Sequence, residues 1–257
     1  MQVVIGGTKV EINPDEVLFD FRRHAPTEVN HLDQGGKWSS GSWNPFHSYP
    51  RRIARLPDWK LPIVAIGPDD PLHVAAGELA SETGIPPLII RSDTDRTAAS
   101  LDLFLSHYAE GRREELKAKV LIWPELGEMD EGNLLWRTWL QLWLHNRDAA
   151  RRVRRGGRYD ERPSGGECGR DVMRRADLVL LKLTSLARSG RVRPGDRVPV
   201  FTHGGFVKAL LVVISGRGRY GWANTPFPGN LEPTVIGVNA YTEEVRVVVQ
   251  SRRGDHM

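Results

Sequence analysis

The sequence predicts an α/β protein, a three-layer αβα arrangement around a mainly parallel central sheet. Three observations point there. Short apolar runs of strand length recur along the chain, and stretches with helical spacing of apolar residues separate several of them. A length of 257 residues with 40% apolar content also supplies enough core for one such domain. Strands that alternate with helices form sheets covered on both faces, so each strand reads as a continuous apolar run.

In chain order, Val3–Ile12 reads as an edge hairpin. The buried strands are expected at Val17–Phe21, Pro62–Gly67, Pro87–Ile90, Val120–Trp123 and Val198–Thr202. Helical spacing runs through Leu72–Thr83, Arg96–Ala109, Gly169–Ser189 and Gly205–Ile214. At the end, Thr234–Ala240 and Glu244–Arg252 alternate β-branched residues across a Tyr-Thr-Glu turn, which predicts a terminal antiparallel hairpin. Two segments break the alternation: residues 31–61, rich in Trp, Gly, Ser and Pro, and residues 133–164, rich in Trp and Arg. They are expected as insertions into a single domain spanning 1–257, folded over the mouth of the site.

Composition excludes several classes. The single cysteine, Cys168, forms no internal disulfide, which places the default in a reducing cytoplasm. Met1–Thr8 lacks a basic start and a long apolar run, and no later stretch reaches the roughly 18 apolar residues of a membrane span. No membrane association is expected. The net charge of +4 is modest, but seven arginines (Arg147, Arg151, Arg152, Arg154, Arg155, Arg158 and Arg162) fall within sixteen positions. Without aromatic interleaving or an RNA-binding motif they do not make a nucleic-acid site. They reach a second acidic group on a substrate or form a solvated face. Trp136, Trp139 and Trp143 share one helix face, as core or as a stacking platform. A homodimer is the assembly left open.

The chemistry concentrates at strand ends. Arg23-His24 closes the run Val17–Phe21. A guanidinium fork there holds phosphate oxygens while a ring nitrogen of His24 attacks phosphorus. Arg91–Ser100 follows the strand Pro87–Ile90 with Ser, Asp and Thr and then a helix, which puts Arg96 in a first helical turn where anions are favoured. His203 follows Val198–Thr202 and is succeeded by Gly204 and Gly205, which lets backbone N–H groups approach an anion beside the ring.

These elements resemble, in order, the histidine phosphatase superfamily, the phosphoglycerate mutase-like proteins. Its signature is a strand, Arg-His-Gly, a variable residue and Thr. Arg23, His24 and Thr27 match, and Ala25 stands for the Gly. The family's Ser-x-x-x-Arg-(Ala/Thr)-x-x-(Ser/Thr) pattern is met by Ser92, Arg96, Thr97 and Ser100. Pro71, Leu72, Gly77 and Ala80 are similar to its first helix entry, with His73 in place of Thr. Pro163–Cys168 resembles its Pro-Gly-Gly-Glu-Ser element, where Glu167 reads as an N-terminal capping carboxylate. Gly204 in place of Asp resembles the branch whose proton donor is a Glu elsewhere. That acid is expected at Glu128, in Leu126-x-Glu128-x-x-x-Gly132, with Glu125 and Glu131 as alternatives.

The resemblance implies the phosphoglycerate mutase-like fold and a metal-independent phosphomonoesterase working through a phosphohistidine. Its partner would be a small phosphorylated substrate, such as a sugar, nucleotide or natural-product intermediate. His24, Glu128 and His203 are the implied catalytic residues. Arg23, Arg96, His203, Thr27, Asn30 and Gly204 are the implied phosphate ligands, with no metal and no cofactor. A phosphoglycerate mutase-type phosphotransferase, a phosphoprotein phosphatase and a non-catalytic phosphate-ligand binding protein are the alternatives on the same fold.

Overall fold

The innermost strand of the sheet lies near the start of the chain and takes both its neighbours from the end. The computed structural model describes residues 1–24, 70–130, 159–162 and 165–250. In chain order these form β1 (Gln2–Ile5), β2 (Thr8–Glu11), β3 (Glu16–Arg23), α1 (Pro71–Thr83), β4 (Ile89–Arg91), α2 (Asp95–Leu105), α3 (Glu110–Lys117) and β5 (Val120–Ile122). After a short 3-10 turn at Pro124–Leu126 come α4 (Gly169–Arg188), β6 (Arg197–Thr202), α5 (Gly204–Ser215), α6 (Gly218–Asn224), β7 (Pro233–Asn239) and β8 (Val245–Val249). The expected strand Pro62–Gly67, the residues Thr27, Asn30 and Glu131, and both insertions (apart from residues 159–162) lie outside the described residues.

The six-stranded sheet has the order β5-β4-β6-β3-β7-β8. β5, β4, β6 and β3 are parallel, while β7 runs antiparallel to β3, and β8 to β7. This is the mainly parallel, helix-covered sheet that the apolar runs predict. Val17, Phe19 and Phe21 of β3 and Val198 and Val200 of β6 face one way, into a core shared with Val172, Ala176, Val179 and Leu183 of α4 and Phe206 and Leu210 of α5. Ile89 of β4 and Phe201 of β6 face the other way, against Leu79 of α1 and Leu101 and Phe104 of α2. Among the described residues, no helix is long and apolar enough to cross a membrane.

Three expectations change. The opening hairpin does not extend the edge of the main sheet: β1 and β2 form a separate two-stranded sheet, with Ile5 and Ile12 packed against Leu18 and Val235. The helix expected to reach Ala109 stops at Leu105, and α3 follows. In α3 only Leu116 is buried, so no apolar period announced it. Asp171, not Glu167, caps α4, its carboxylate accepting the Cys168 N–H at 3.0 Å while Cys168 closes the reciprocal bond.

Asp20 interrupts the apolar run of β3 and is fully buried. Arg22 donates to its two oxygens at 2.7 and 2.9 Å, and Arg197 of the neighbouring strand donates through Nε at 2.9 Å and again through Nη2. Burial alone would raise the Asp20 pKa, but the Arg22 and Arg197 charges and hydrogen bonds outweigh it and hold it below the ordinary aspartate value. Asp20→Ala leaves the buried Arg22 guanidinium without its anion and Arg197 with Glu82 alone, at 3.0 Å, and is expected to cost about 3–5 kcal/mol in urea unfolding. A loss below about 1 kcal/mol would show that the arginines find other acceptors. Because the folded pKa is depressed, this stabilisation is present above the ordinary aspartate range and is lost as pH falls through the folded value.

Candidate active site

The parallel strands end together, and their carboxyl ends carry the site, as open α/β sheets do. His24 follows β3, Ser92 follows β4, His203 follows β6, and Glu128 follows the turn after β5. Register brings the two histidines together. Arg23 pairs with Thr202 across the parallel ladder, and the His24 N–H donates to the Thr202 carbonyl at 2.9 Å. Their rings lie 5.1 Å apart between centroids, tilted by 59°. Both are buried.

A segment preceding β7 clamps the end of β3. Asn230 Nδ2 donates to the His24 carbonyl at 2.7 Å, and the Leu231 N–H donates to the Arg23 carbonyl at 2.9 Å. Arg22 Nη1 donates to the Leu231 carbonyl at 2.7 Å, and Arg23 Nη1 donates to that of Pro228 at 3.2 Å. Leu231 has φ 54°, a left-handed conformation that costs a non-glycine residue about 1–2 kcal/mol. Its N–H and C=O are both taken by the clamp, which holds it there. Pro226, Pro228 and Gly229 give this segment no periodicity to read, so the role of Asn230 is not visible in the sequence.

Arg96 stands in the first turn of α2, behind the N-cap Thr94, and is buried with only 5% exposure. Burial lowers the Arg23 pKa, with Glu128, Arg96 and Glu232 as the charges that act on it, which places both guanidinium groups and the Glu128 carboxyl in one electrostatic neighbourhood.

Of the candidate acids, Glu128 enters this neighbourhood and Glu125 turns away to an ion pair with Lys182 at 2.6 Å. The Glu128 carboxyl accepts the Met129 N–H at 2.9 Å and the Gly205 N–H at 3.4 Å. Desolvation raises its pKa above the ordinary glutamate value, outweighing the hydrogen bonds and the Arg96 and Arg23 charges that lower it. A Cβ on Gly205 would sit 2.1 Å from Glu128 Oε1, so this position admits only glycine while the carboxyl is in place. The Gly205 N–H thus meets a carboxylate of the protein, not an open anion cradle. At Gly204 a Cβ would lie 3.2 Å from Arg23 Nε and 3.3 Å from Phe227 Cδ1, a tight approach.

Arg175 holds the acid-bearing turn. From the middle of α4 it donates to the carbonyls of Glu125 at 2.7 Å, Gly127 at 2.9 Å and Glu128 at 3.2 Å, and to the Glu167 carboxylate at 2.8 and 2.7 Å. In the sequence it reads as one more basic residue on a helix. Arg162, the described member of the arginine cluster, pairs with Asp171 at 2.5 Å.

His203 rests on hydroxyls. Its Nε2 lies 3.0 Å from Ser92 Oγ and 3.2 Å from Thr94 Oγ1, while its buried Nδ1 has no partner among the described residues. Desolvation first, then the His24, Arg96, Arg175 and Arg23 charges, hold its pKa well below the ordinary histidine value, so the ring is neutral and carries one proton. Thr97 Oγ1 donates to a backbone carbonyl, of Thr94 at 2.9 Å or Ser92 at 3.1 Å, and accepts from Ser92 at 2.9 Å or Thr94 at 3.1 Å. That network closes with a hydroxyl donating to Nε2, which puts the ring proton on Nδ1, and equally with an Nε2–H donating to Ser92 or Thr94. Replacing both residues, Ser92→Ala with Thr94→Val, is expected to change the His203 tautomer balance in 15N NMR and to weaken inorganic phosphate about tenfold. Each single substitution leaves a hydroxyl in place and is expected to change little. An unchanged balance in the double variant would show that these hydroxyls do not set it.

Comparison with known proteins places the family and the fold. A family model described as the histidine phosphatase superfamily (branch 1) matches residues 76–250, which hold Arg96, Glu128 and His203; Arg23 and His24 precede the match. Comparison with curated protein sequences yields no match. The fold is similar to that of YhfR from Bacillus stearothermophilus, at TM-score 0.65 and 15% identity over 93% of this chain and 98% of that one. It is similar to the alpha-ribazole phosphatase of Shigella flexneri, at TM-score 0.64 and 16% identity over 92% and 96% of the two chains. A mycobacterial glucosyl-3-phosphoglycerate phosphatase aligns at TM-score 0.62 and 20% identity over 92% of this chain and 99% of its own.

Proposed function

The chain belongs to the histidine phosphatase superfamily, and from that membership we propose that it is a phosphomonoesterase acting on a small phosphorylated metabolite through a phosphohistidine. One observation carries the reading. Two facing buried histidines, the buried Arg96, the half-buried Arg23 and the Glu128 carboxyl with its raised pKa converge at the ends of parallel strands. The names of the alpha-ribazole and glucosyl-3-phosphoglycerate phosphatases that share the fold support a metabolite as the substrate class.

A ring nitrogen of His24 attacks phosphorus in line with the ester oxygen. The N–P bond forms as the P–O bond breaks, and the proton of Glu128 goes to the departing alkoxide. Arg23, Arg96 and a ring N–H of His203 share the charge of the remaining oxygens, work that a preorganised donor set performs without reorganising. The Glu128 carboxylate then takes a proton from a water whose oxygen attacks the phosphohistidine, and the P–N bond breaks to free inorganic phosphate. Thr27 and Asn30 supply hydrogen bonds to the phosphate in this reading. The test is phosphate release in EDTA from a panel of phosphorylated sugars, nucleotides and phosphopeptides. Turnover of one or more metabolites in EDTA is the expected result. Release from phosphopeptides alone would move the substrate class, and no release from any ester would end the reading.

A further inference from the structure

Lys208 is a buried cation that the chemistry above leaves unused. It lies on α5 one helical turn after Gly204 and is 8% exposed. Its Nζ stands 5.1 Å from the ring centroid of Trp222 and 4.7 Å from that of Phe227. Helical side chains lean toward the N-terminus of their helix, which carries this ammonium up toward the His203 end of α5. The contacts agree. Phe227 Cδ1 and Arg23 Nε both approach the place that a Gly204 Cβ would take, at 3.3 and 3.2 Å. Phe227 therefore neighbours both Lys208 and the place beside Arg23, and it is 52% exposed.

Among the described residues, two ring faces are the partners of this ammonium and no carboxylate or carbonyl accepts from it. The ammonium tip keeps contact with solvent, and the ring faces compensate only part of the hydration that it has lost. Burial also pulls the Lys208 pKa down, the direction an ammonium takes with no anion beside it. Trp222 is buried in the core and fixed, whereas Phe227 is the open wall. An anion arriving past Phe227 would meet a partly desolvated ammonium, where a charge-assisted hydrogen bond is strong.

We propose that Lys208, walled by Trp222 and Phe227, is a subsite for a second anionic group on the substrate. The preferred ester then carries a carboxylate or a second phosphate on its alcohol half, beyond the phosphoryl group held by Arg23 and Arg96. This rests on the phosphomonoesterase reading for the place of the first phosphate, and its test uses binding so that turnover is not needed.

Calorimetric titration in a His24→Ala background keeps the esters intact. Two pairs separate the sources of the second charge: 2-phosphoglycolate against methyl phosphate, and fructose 1,6-bisphosphate against fructose 6-phosphate. In at least one pair the doubly anionic member is expected to bind about tenfold more tightly, the scale of one charged hydrogen bond. Lys208→Met should abolish that advantage, with Lys208→Gln as the second variant if methionine does not fold. The pair with the advantage names the second group as carboxylate or phosphate. Equal affinities in both pairs, or an advantage that survives loss of the ammonium, would overturn the proposal. A Lys208-dependent advantage with no hydrolysis of any ester by the wild type would instead overturn the hydrolase reading and leave this one standing.

Discussion

Alanine at position 24 should reduce phosphate release by at least about a thousandfold, because removing a covalent nucleophile leaves only binding and charge stabilisation. The ring of His24 is buried against His203 at 5.1 Å between centroids, and Asn230 fixes the backbone beside it. The truncation removes the attacking nitrogen while leaving the clamp of the strand end intact. Circular dichroism and urea unfolding would separate lost chemistry from lost fold. Added imidazole offers a second readout: it can enter the vacated volume and attack phosphorus itself, so partial rescue of turnover is expected. Activity within tenfold of wild type would exclude His24 as the phosphoryl acceptor.

The second large effect is expected from an added methyl group at some remove from phosphorus. Gly205→Ala places a carbon where Glu128 Oε1 now lies, 2.1 Å away, and α5 cannot retreat because its buried residues pack on the sheet and on α4. The carboxyl must leave. Turnover of alkyl phosphates should fall by about 10²–10⁴, the range of a lost general acid, whereas 4-nitrophenyl phosphate, whose leaving group needs no proton, should fall far less. Glu128→Gln is expected to give the same split between the two esters. Equal losses on both would mean that Gly205 matters for packing and not for the proton. The sign of the pH dependence follows from the raised Glu128 pKa. The acid form persists above the usual carboxyl range and is lost as pH rises through the folded value, so alkyl phosphate turnover should decline on that limb. The same raised value makes ionised Glu128 a small destabilising load above that pH.

How far the sequence discloses this site depends on whether a residue announces its own surroundings. Arg23-His24, Arg96 and His203-Gly204 each follow an apolar run and stand beside turn or cap residues, so their position at strand ends is legible. Glu128 shares its segment with Glu125 and Glu131. What selects it over Glu125 is the contact with Gly205 and the pull of Lys182 on the other carboxylate, both made by elements distant in sequence. Arg175 and Asn230 act on backbone carbonyls, and a carbonyl leaves no trace in sequence. Ser92 and Thr94 read only as a turn and a cap, since the histidine they support arrives about a hundred positions later. Asp20 and Arg22 break an otherwise apolar strand, and their reason lies in Arg197 on the neighbouring one. Long-range polar pairing is the common factor in what the pattern does not disclose.

The place of β3 has a consequence for how the protein comes into being. Its partners are β6 and β7, so Glu16–Arg23 has no strand to pair with until residues as far as Thr202 exist. At ribosomal rates of about 5–20 residues per second, that wait lasts roughly nine to thirty-six seconds. Throughout it, an apolar strand carrying the nucleophile's neighbour stays unpaired and open to aggregation or to chaperones. The histidine pair is thus a late event of biosynthesis, and a ribosome stalled before β6 holds a chain with His24 and without the histidine that faces it.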